Sequence, residues 1–283
     1  MTGNIGSLAS AVAYQATAPL RPEIERTEDE LDVSISWMRY DGIRRRRVTA
    51  ILVEPMGDEP FAGLVFLHPF SGHKTFFLGE AKQLAAKGAA CLLIDAPHKR
   101  PSPHHMTADI RDPKSLRTYY LQTIGDIRRG YDVLEQLDTI GPGHFGYVGR
   151  DDGAGLAPAV SALEPRITTV AFIAGMPRQS AYWLSSNSAE ALQTRAELSQ
   201  TELKQYARVL EEFDATALLG HAHADNWLFQ FVTGDDRVTD AEIALLKSAS
   251  VKPAGFKFYD AQGMGSAAQA DRLRWLEGKL RRR

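Results

Sequence analysis

The stretch that decides the fold lies in the middle of the chain, where residues 144–163 read HFGYVGRDDGAGLAPAVSAL. Its first six residues are mostly apolar or glycine, which is typical of a short buried strand. The polar segment RDDG predicts a turn, and the alanine-rich remainder has the composition of a helix. The stretch therefore predicts a strand, a turn and a helix in direct succession.

The same alternation of strands and helices continues on both sides of this stretch. Segments with helical periodicity separate short apolar runs at 62–69, 89–97, 167–175 and 226–234. Nearer the N-terminus, an antiparallel hairpin is predicted by two alternating segments, Leu31 to Met38 and Val48 to Pro55. We therefore expect an α/β fold in which a mostly parallel central sheet carries helices on both faces. In such a sheet, ligands bind outside the carboxyl ends of the strands.

Composition and charge exclude several classes of protein and partner. The 283 residues are 44% hydrophobic and 24% charged, which is typical of a globular chain and not of a disordered one. A net charge of −2 provides no positive field for nucleic acid or an anionic membrane. Cys91, the one cysteine, lies in an apolar run, which predicts a buried thiol in a reducing compartment. We expect a cytoplasmic protein with a small-molecule substrate and no membrane or nucleic-acid partner; the oligomeric state stays open, a homodimer included.

The chain is expected to form a single domain over residues 1–283, because α/β domains of this length often share one core. A long polar helical stretch at 176–222 interrupts the alternation and predicts a small helical cap. Residues 1–30 precede the first predicted strand and are expected to be an N-terminal extension.

A family resemblance is carried by four segments that follow strands: HPFSGHK (68–74), DAPHKRP (95–101), GRDDGAG (149–155) and VTGDDRV (232–238). Together they resemble the α/β-hydrolase superfamily, in particular its dienelactone-hydrolase and acetyl-esterase-like branch, over residues 48–280. Gly149 and Gly153 match the nucleophile elbow G-x-Nu-x-G of that family, which implies Asp151 as the nucleophile.

The resemblance implies further site residues. Asp235 matches the acid of the catalytic triad, with Asp236 beside it as the competing position. The backbone N–H groups of Phe70 and Asp152 match the oxyanion hole. Trp183, near the start of the cap, is a candidate substrate contact.

Two departures from the family pattern bear on the chemistry. Most relatives in this branch carry serine or cysteine where this chain has Asp151; aspartate there resembles the haloalkane dehalogenases and epoxide hydrolases. The catalytic histidine of the family falls on Gly263, and no histidine follows His223. A carboxylate nucleophile forms an ester with its substrate, and hydrolysing that ester needs a base.

Histidines in the other loops are candidates for the missing base, because an imidazole titrates near neutral pH. His73 and His98 are candidate catalytic groups, and His68 is a candidate substrate contact. Each of the three could equally be a loop histidine that binds backbone. His221 and His223 have no third ligand nearby, so neither a metal nor another cofactor is expected.

Three functions compete. The first, slightly preferred, is an enzyme in which Asp151 is a general base and the oxyanion loop holds an enolate or alkoxide, as in epimerisation, elimination, cyclisation or C–C cleavage. The second is a true hydrolase of an ester, epoxide or haloalkane that uses a relocated histidine. The third is a catalytically inactive protein that binds a small molecule.

Overall fold

The central element of the structure is a β-sheet. The computed structural model describes residues 5–57, 60–109, 111–137, 140 and 143–280. Within these ranges the strands are β1 (Glu23–Glu30), β2 (Val33–Asp41), β3 (Arg47–Pro55), β4 (Ala62–Leu67), β5 (Ala89–Ile94), β6 (Phe145–Arg150), β7 (Ile167–Ile173), β8 (Asn226–Val232) and β9 (Ala254–Tyr259). Their spatial order is β1-β2-β3-β5-β4-β6-β7-β8-β9.

Helices connect most of these strands. In the same ranges they are α1 (Ile5–Ala11), α2 (Leu78–Ala85), α3 (Pro113–Leu134), α4 (Asp152–Gly155), α5 (Ala157–Leu163), α6 (Gln179–Ser185), α7 (Ala189–Glu197), α8 (Gln200–Glu211), α9 (Ala215–Leu218), α10 (Asp240–Ala249) and α11 (Ser266–Leu280). Among the helices described, none combines the length and the apolar character that crossing a bilayer requires.

The strand pairing confirms the expected mostly parallel sheet. From β5 through β4, β6, β7 and β8 to β9 every pair is parallel. The pairs β1–β2, β2–β3 and β3–β5 are antiparallel, so the N-terminal hairpin is confirmed as well. Parallel pairing brings the carboxyl ends of the central strands to one edge of the sheet, where a ligand site is expected.

Both faces of the sheet are covered, as expected for continuous apolar strands. Alternate residues of β4 enter two separate cores: Leu64 belongs to one and Val65 to the other. The first core includes Leu84 of α2 and Leu276 of α11, and the second includes Ile124 of α3, with α5 and the helices after β7.

The N-terminal segment differs from the expected extension. Residues 23–30 form β1, which pairs with β2 at the sheet edge, and α1 contributes the buried Leu8 to the core. All eight side chains of β1 are exposed, so no alternation of apolar and polar residues marks it as a strand. Residues 1–4 of the predicted extension lie outside the described residues.

The segment 176–222, between β7 and β8, is divided into four helices, α6 to α9, followed by a short 3₁₀ helix. Local sequence explains the division. Ser188 and Ser199 are the N-caps of α7 and α8, and the side chain of each accepts a hydrogen bond from a backbone N–H of its helix. Glu202 completes a capping box with Ser199. We call residues 176–222 the cap segment below.

Candidate active site

The turn between β6 and α4 holds Asp151 in a strained backbone conformation. Its φ of 55° and ψ of −118° are rare for a residue other than glycine. Such strain costs about 1–3 kcal/mol and is concentrated at functional sites. The Asp151 N–H donates to the Ile173 carbonyl at the end of β7, and the Asp151 carbonyl accepts from the Gly155 N–H, both at 2.9 Å. The backbone at the tip of the turn is therefore held by the neighbouring strand and helix.

Close backbone contacts explain the glycines on either side of Asp151. A Cβ atom at Gly149 would lie 2.3 Å from the carbonyl oxygen of Gly153, and a Cβ at Gly153 would lie 2.8 Å from that of Leu67. Neither distance leaves room for a methyl group, so both positions require glycine. The spacing and the backbone together have the geometry of a nucleophile elbow.

Arg237 links Asp151 to Asp235. Its guanidinium donates through Nη1 to Asp151 Oδ1 at 2.9 Å. Through Nε and Nη2 it binds both oxygens of Asp235 at 3.0 and 2.8 Å. The Asp235 side chain is only 9% exposed; burial alone would raise its pKa, but the hydrogen bonds from Arg237 outweigh that effect and lower it. Asp236 is exposed, so Asp235 is the carboxylate connected to the elbow.

Asp152 has a different environment from its neighbour. Its carboxyl group makes no hydrogen bond to any described residue. Burial, followed by the negative charges of Asp151 and Glu190, raises its pKa from 3.8 to about 7, although the charge of Arg237 opposes the change. The two adjacent carboxyl groups thus have different hydrogen-bonding surroundings, because Asp151 has a guanidinium partner and Asp152 has none.

A cavity of about 310 Å³ adjoins the elbow. From the sheet edge its wall includes Phe70, Asp151, Asp152 and Arg237. From the cap segment it includes Met176, Gln179, Trp183, Glu190, Thr194 and Tyr206. The remaining lining residues are Ala108, Leu116 and Tyr120. One cavity therefore brings together four residues predicted from the sequence: Asp151, Asp152, Phe70 and Trp183. Asp235 does not line the cavity, but it binds Arg237, which does.

None of the eight histidines, all of which lie in described parts of the chain, lines this cavity. His68 is buried; its Nε2 accepts from the Ala96 N–H at 3.0 Å, so its Nδ1 carries the proton and donates to the Pro69 carbonyl at 2.7 Å. Burial lowers its pKa to about 4. His68 thus holds the backbone of its own loop in the neutral form.

His98 has a similar position. Its Nε2 donates to the Phe70 carbonyl at 2.7 Å, and its Nδ1 accepts from the Tyr119 hydroxyl at 2.7 Å. The ring also stacks on Phe70, with ring centres 4.2 Å apart, and burial lowers the pKa of the imidazole. His98 therefore fixes the loop that carries the Phe70 N–H.

The structure leaves His73 and Gly263 apart from the cavity wall. His73 is exposed and its Nδ1 lies 2.9 Å from the Thr75 hydroxyl. Gly263 lies in the turn after β9, where its N–H donates to the Asp260 carboxylate. No imidazole thus occupies the position between acid and elbow, and the guanidinium of Arg237 fills it.

Arg237 and Glu190 are cavity residues that sequence reasoning missed. The signal for Arg237 was present, since it is the one basic residue of the strand-end segment VTGDDRV. Glu190 is itself exposed and lies in the polar helix α7, where nothing in the local pattern distinguishes it from its neighbours.

Replacing Arg237 with glutamine should destabilise the fold by about 2 kcal/mol near neutral pH, because Asp235 and Asp151 lose their partner in a partly buried site. The loss should shrink as the pH falls below about 4, because Asp235, whose pKa is lowered by its hydrogen bonds to Arg237, then takes up a proton and no longer needs the guanidinium. Urea unfolding at about pH 7 and about pH 3 measures both values.

Arg178→Gln is the matched control for that experiment. Arg178 pairs with Glu242 in the same way, but its side chain is 40% exposed, so its loss should cost less than about 1 kcal/mol. Equal losses in the two variants would contradict the importance of the Asp151–Arg237–Asp235 arrangement.

Comparison with known proteins identifies the fold. No protein-family model matches the chain, and no curated protein matches it by sequence. Solved structures do match. An acetyl xylan esterase from Paenibacillus superposes with a TM-score of 0.78 at 20% identity, over 97% of this chain and 92% of that one.

Two further structures agree with it. An acetyl xylan esterase from Thermoanaerobacterium gives a TM-score of 0.80 at 13% identity, over 98% of this chain and 94% of that one. A dienelactone hydrolase from Anabaena variabilis gives 0.58 at 16% identity, over 88% of this chain and all of that one. The chain therefore has the α/β-hydrolase fold; at these identities the likeness concerns the fold alone.

Proposed function

We propose that this chain is an enzyme that removes or adds a proton at the carbon atom next to the carbonyl or ester group of a small organic molecule. Asp151 and Asp152 form the acid–base pair, and the backbone N–H groups of Phe70 and Asp152 hold the developing oxyanion. Epimerisation, elimination, cyclisation and C–C cleavage all begin with such a step.

The observation that carries the proposal is the pair of unlike carboxyl groups facing one cavity. Asp151 lines the cavity and is anchored through Oδ1 to Arg237, so its other carboxylate oxygen is not engaged by that guanidinium. The pKa of Asp152, raised mainly by burial to about 7, suits a group that takes up and returns protons near neutral pH. Two neighbouring carboxyl groups in unlike surroundings are typical of sites in which each has its own role in proton transfer.

The surrounding loop supports the oxyanion role. His68 binds the Pro69 carbonyl and His98 binds the Phe70 carbonyl, so the peptide group that contains the Phe70 N–H and the peptide group after it are both held. A preorganised donor of this kind stabilises charge that develops during the reaction without having to reorient.

A hydrolase remains the alternative, favoured by the esterases and hydrolases that share the fold. In that mechanism Asp151 attacks the substrate, and a base must then activate water. No histidine lines the cavity, so the base would have to be Asp152. Proton transfer needs no such second step and is therefore preferred.

Hydrogen exchange at carbon tests the proposal. The protein is incubated in D₂O with ethyl phenylacetate and with phenylacetone, and the deuterium content of the recovered compounds is measured by mass spectrometry. We expect deuterium at the carbon next to the carbonyl, and an exchange rate at least about a hundredfold lower in Asp151→Asn. Asp225→Asn is the matched control, since Asp225 is exposed and pairs with Lys252 on the surface.

Intact-protein mass spectrometry distinguishes the hydrolase alternative from proton transfer. The protein and Asp151→Asn are incubated with a small panel of epoxides, alkyl halides and activated esters. An adduct that forms on the parent and not on the variant would identify Asp151 as a nucleophile and overturn proton transfer. Neither exchange nor adduct, with thermal stabilisation by a bound compound, would indicate a binding protein without turnover.

A further inference from the structure

The charges around the elbow cavity are unbalanced. Three carboxyl groups line it, those of Asp151, Asp152 and Glu190, and among the lining residues described Arg237 is the one basic side chain. Asp235 already takes two of the hydrogen bonds of that guanidinium. The cavity therefore has an excess of negative charge, and an anionic ligand would find no unshared cation there.

Aromatic rings form the wall on the side of the cap segment. The rings of Trp183 and Tyr206 have centres 5.9 Å apart and are tilted by 57°, and both residues line the cavity. Burial, followed by the charges of Asp152 and Glu190, raises the pKa of the Tyr206 phenol. The acidic groups and the aromatic faces therefore share one space.

Carboxylates combined with aromatic faces are the groups that recognise organic cations. A ring attracts an ammonium group to its face, and the attraction is strongest for tryptophan. A carboxylate supplies the opposite charge. The described residues contain no group of three or more side chains suited to a metal ion, so the fit is to an organic cation.

We propose that the molecule bound in the elbow cavity carries an ammonium group, held by Glu190 and the faces of Trp183 and Tyr206. The inference rests on the proposed function and narrows its substrate to an amine-bearing carbonyl or ester compound. The ammonium end lies against the cap segment, and the reacting carbon lies at the elbow. A cavity of about 310 Å³ is at the small end of ligand sites, which limits the substrate to a compact molecule.

Binding of a matched pair of compounds tests this inference. The 2-phenylethylammonium ion and 2-phenylethanol share a ring and chain length and differ in charge. We expect calorimetric titration to give a Kd at least about tenfold lower for the ammonium ion. Glu190→Gln should remove most of that preference, and Trp183→Leu should weaken binding of the ammonium ion.

Glu197→Gln is the control on the same helix. Glu197 is exposed and bonds to Gln193 within α7, so its loss should leave the preference unchanged. Thermal unfolding of each variant checks that the fold is intact. Equal affinity for both compounds, no binding of the ammonium ion, tighter binding of 3-phenylpropionate, or a preference unaffected by Glu190→Gln would each overturn the inference.

The two proposals fail in different ways. Ammonium preference without hydrogen exchange in any carbonyl compound would uphold the cation site and reject proton transfer. Exchange that is as fast with phenylacetone as with its amino-substituted analogue, without ammonium preference, would uphold proton transfer and reject the cation site.

Discussion

Asp152→Asn should make the protein less active and more stable. Hydrogen exchange should fall at least about a hundredfold, because asparagine cannot carry the proton, while the backbone N–H of residue 152 is retained. The Asp152 pKa, raised mainly by burial from 3.8 to about 7, means that ionising this group in the folded state costs free energy. Asparagine removes that cost.

The gain in stability should depend on pH. Below about pH 4 the carboxyl group is protonated in both folded and unfolded chains, so the variant gains little. Between about pH 4 and 7 only the unfolded chain releases the proton, and the parent loses stability. The full difference corresponds to roughly 4 kcal/mol. We expect about 2 kcal/mol at about pH 8, since the side chain is partly exposed.

Urea unfolding and exchange rates at several pH values check both effects. Asp225→Asn, on the surface, should change neither by much. A loss of stability in Asp152→Asn at about pH 8 would contradict the pKa assignment, and full activity would remove Asp152 from the acid–base pair. Loss of activity with gain of stability is the trade-off expected of a residue retained for function.

Gly149→Ala should destabilise the protein by about 3 kcal/mol and lower its Tm by roughly 6–12 °C. The new methyl group would lie 2.3 Å from the Gly153 carbonyl oxygen. Because that oxygen belongs to the backbone of the next turn, only a shift of β6 or α4 can relieve the clash. Such a shift would also displace Asp151 and Asp152, so we expect activity to fall with stability.

Gly146→Ala is the matched control, in the same strand. Its Cβ would lie 3.3 Å from the Thr169 carbonyl oxygen, which a shift of a few tenths of an ångström relieves, so its cost should be below about 1 kcal/mol. Calorimetric Tm values for the two variants compare them directly. Similar Tm values would mean that the elbow tolerates a side chain at position 149.

Much of the fold follows from local sequence. Continuous apolar runs such as those of β4 and β5 indicate strands buried on both faces, and parallel pairing follows because helices separate them. The edge strand β1 was not predicted, since all its side chains are exposed and it exists only through pairing with β2. The helix expected after the elbow is divided into α4 and α5, with Pro158 near the start of α5.

The candidate site is predictable only in part. Asp151 could be inferred from the spacing of two glycines. The backbone of this turn requires glycine at both positions, so the requirement is visible in the sequence itself. The roles of His68 and His98 could not be inferred from the sequence. A histidine that binds a backbone carbonyl and one that lines a cavity have no local pattern that tells them apart. Glu190 belongs to the cap segment, and only the packing of that segment against the elbow brings it to the cavity.

By itself the sequence determined the succession of strands and helices from β2 onward, and the glycine-flanked turn that holds Asp151, because apolar periodicity and glycine requirements act over neighbouring residues. Only the tertiary structure decided which charges meet. Arg237 lies 86 residues after Asp151 yet donates to it at 2.9 Å, whereas Asp152, the next residue along the chain, has no guanidinium partner. Charge interactions depend on distance and burial in space, which the order of residues along the chain does not specify.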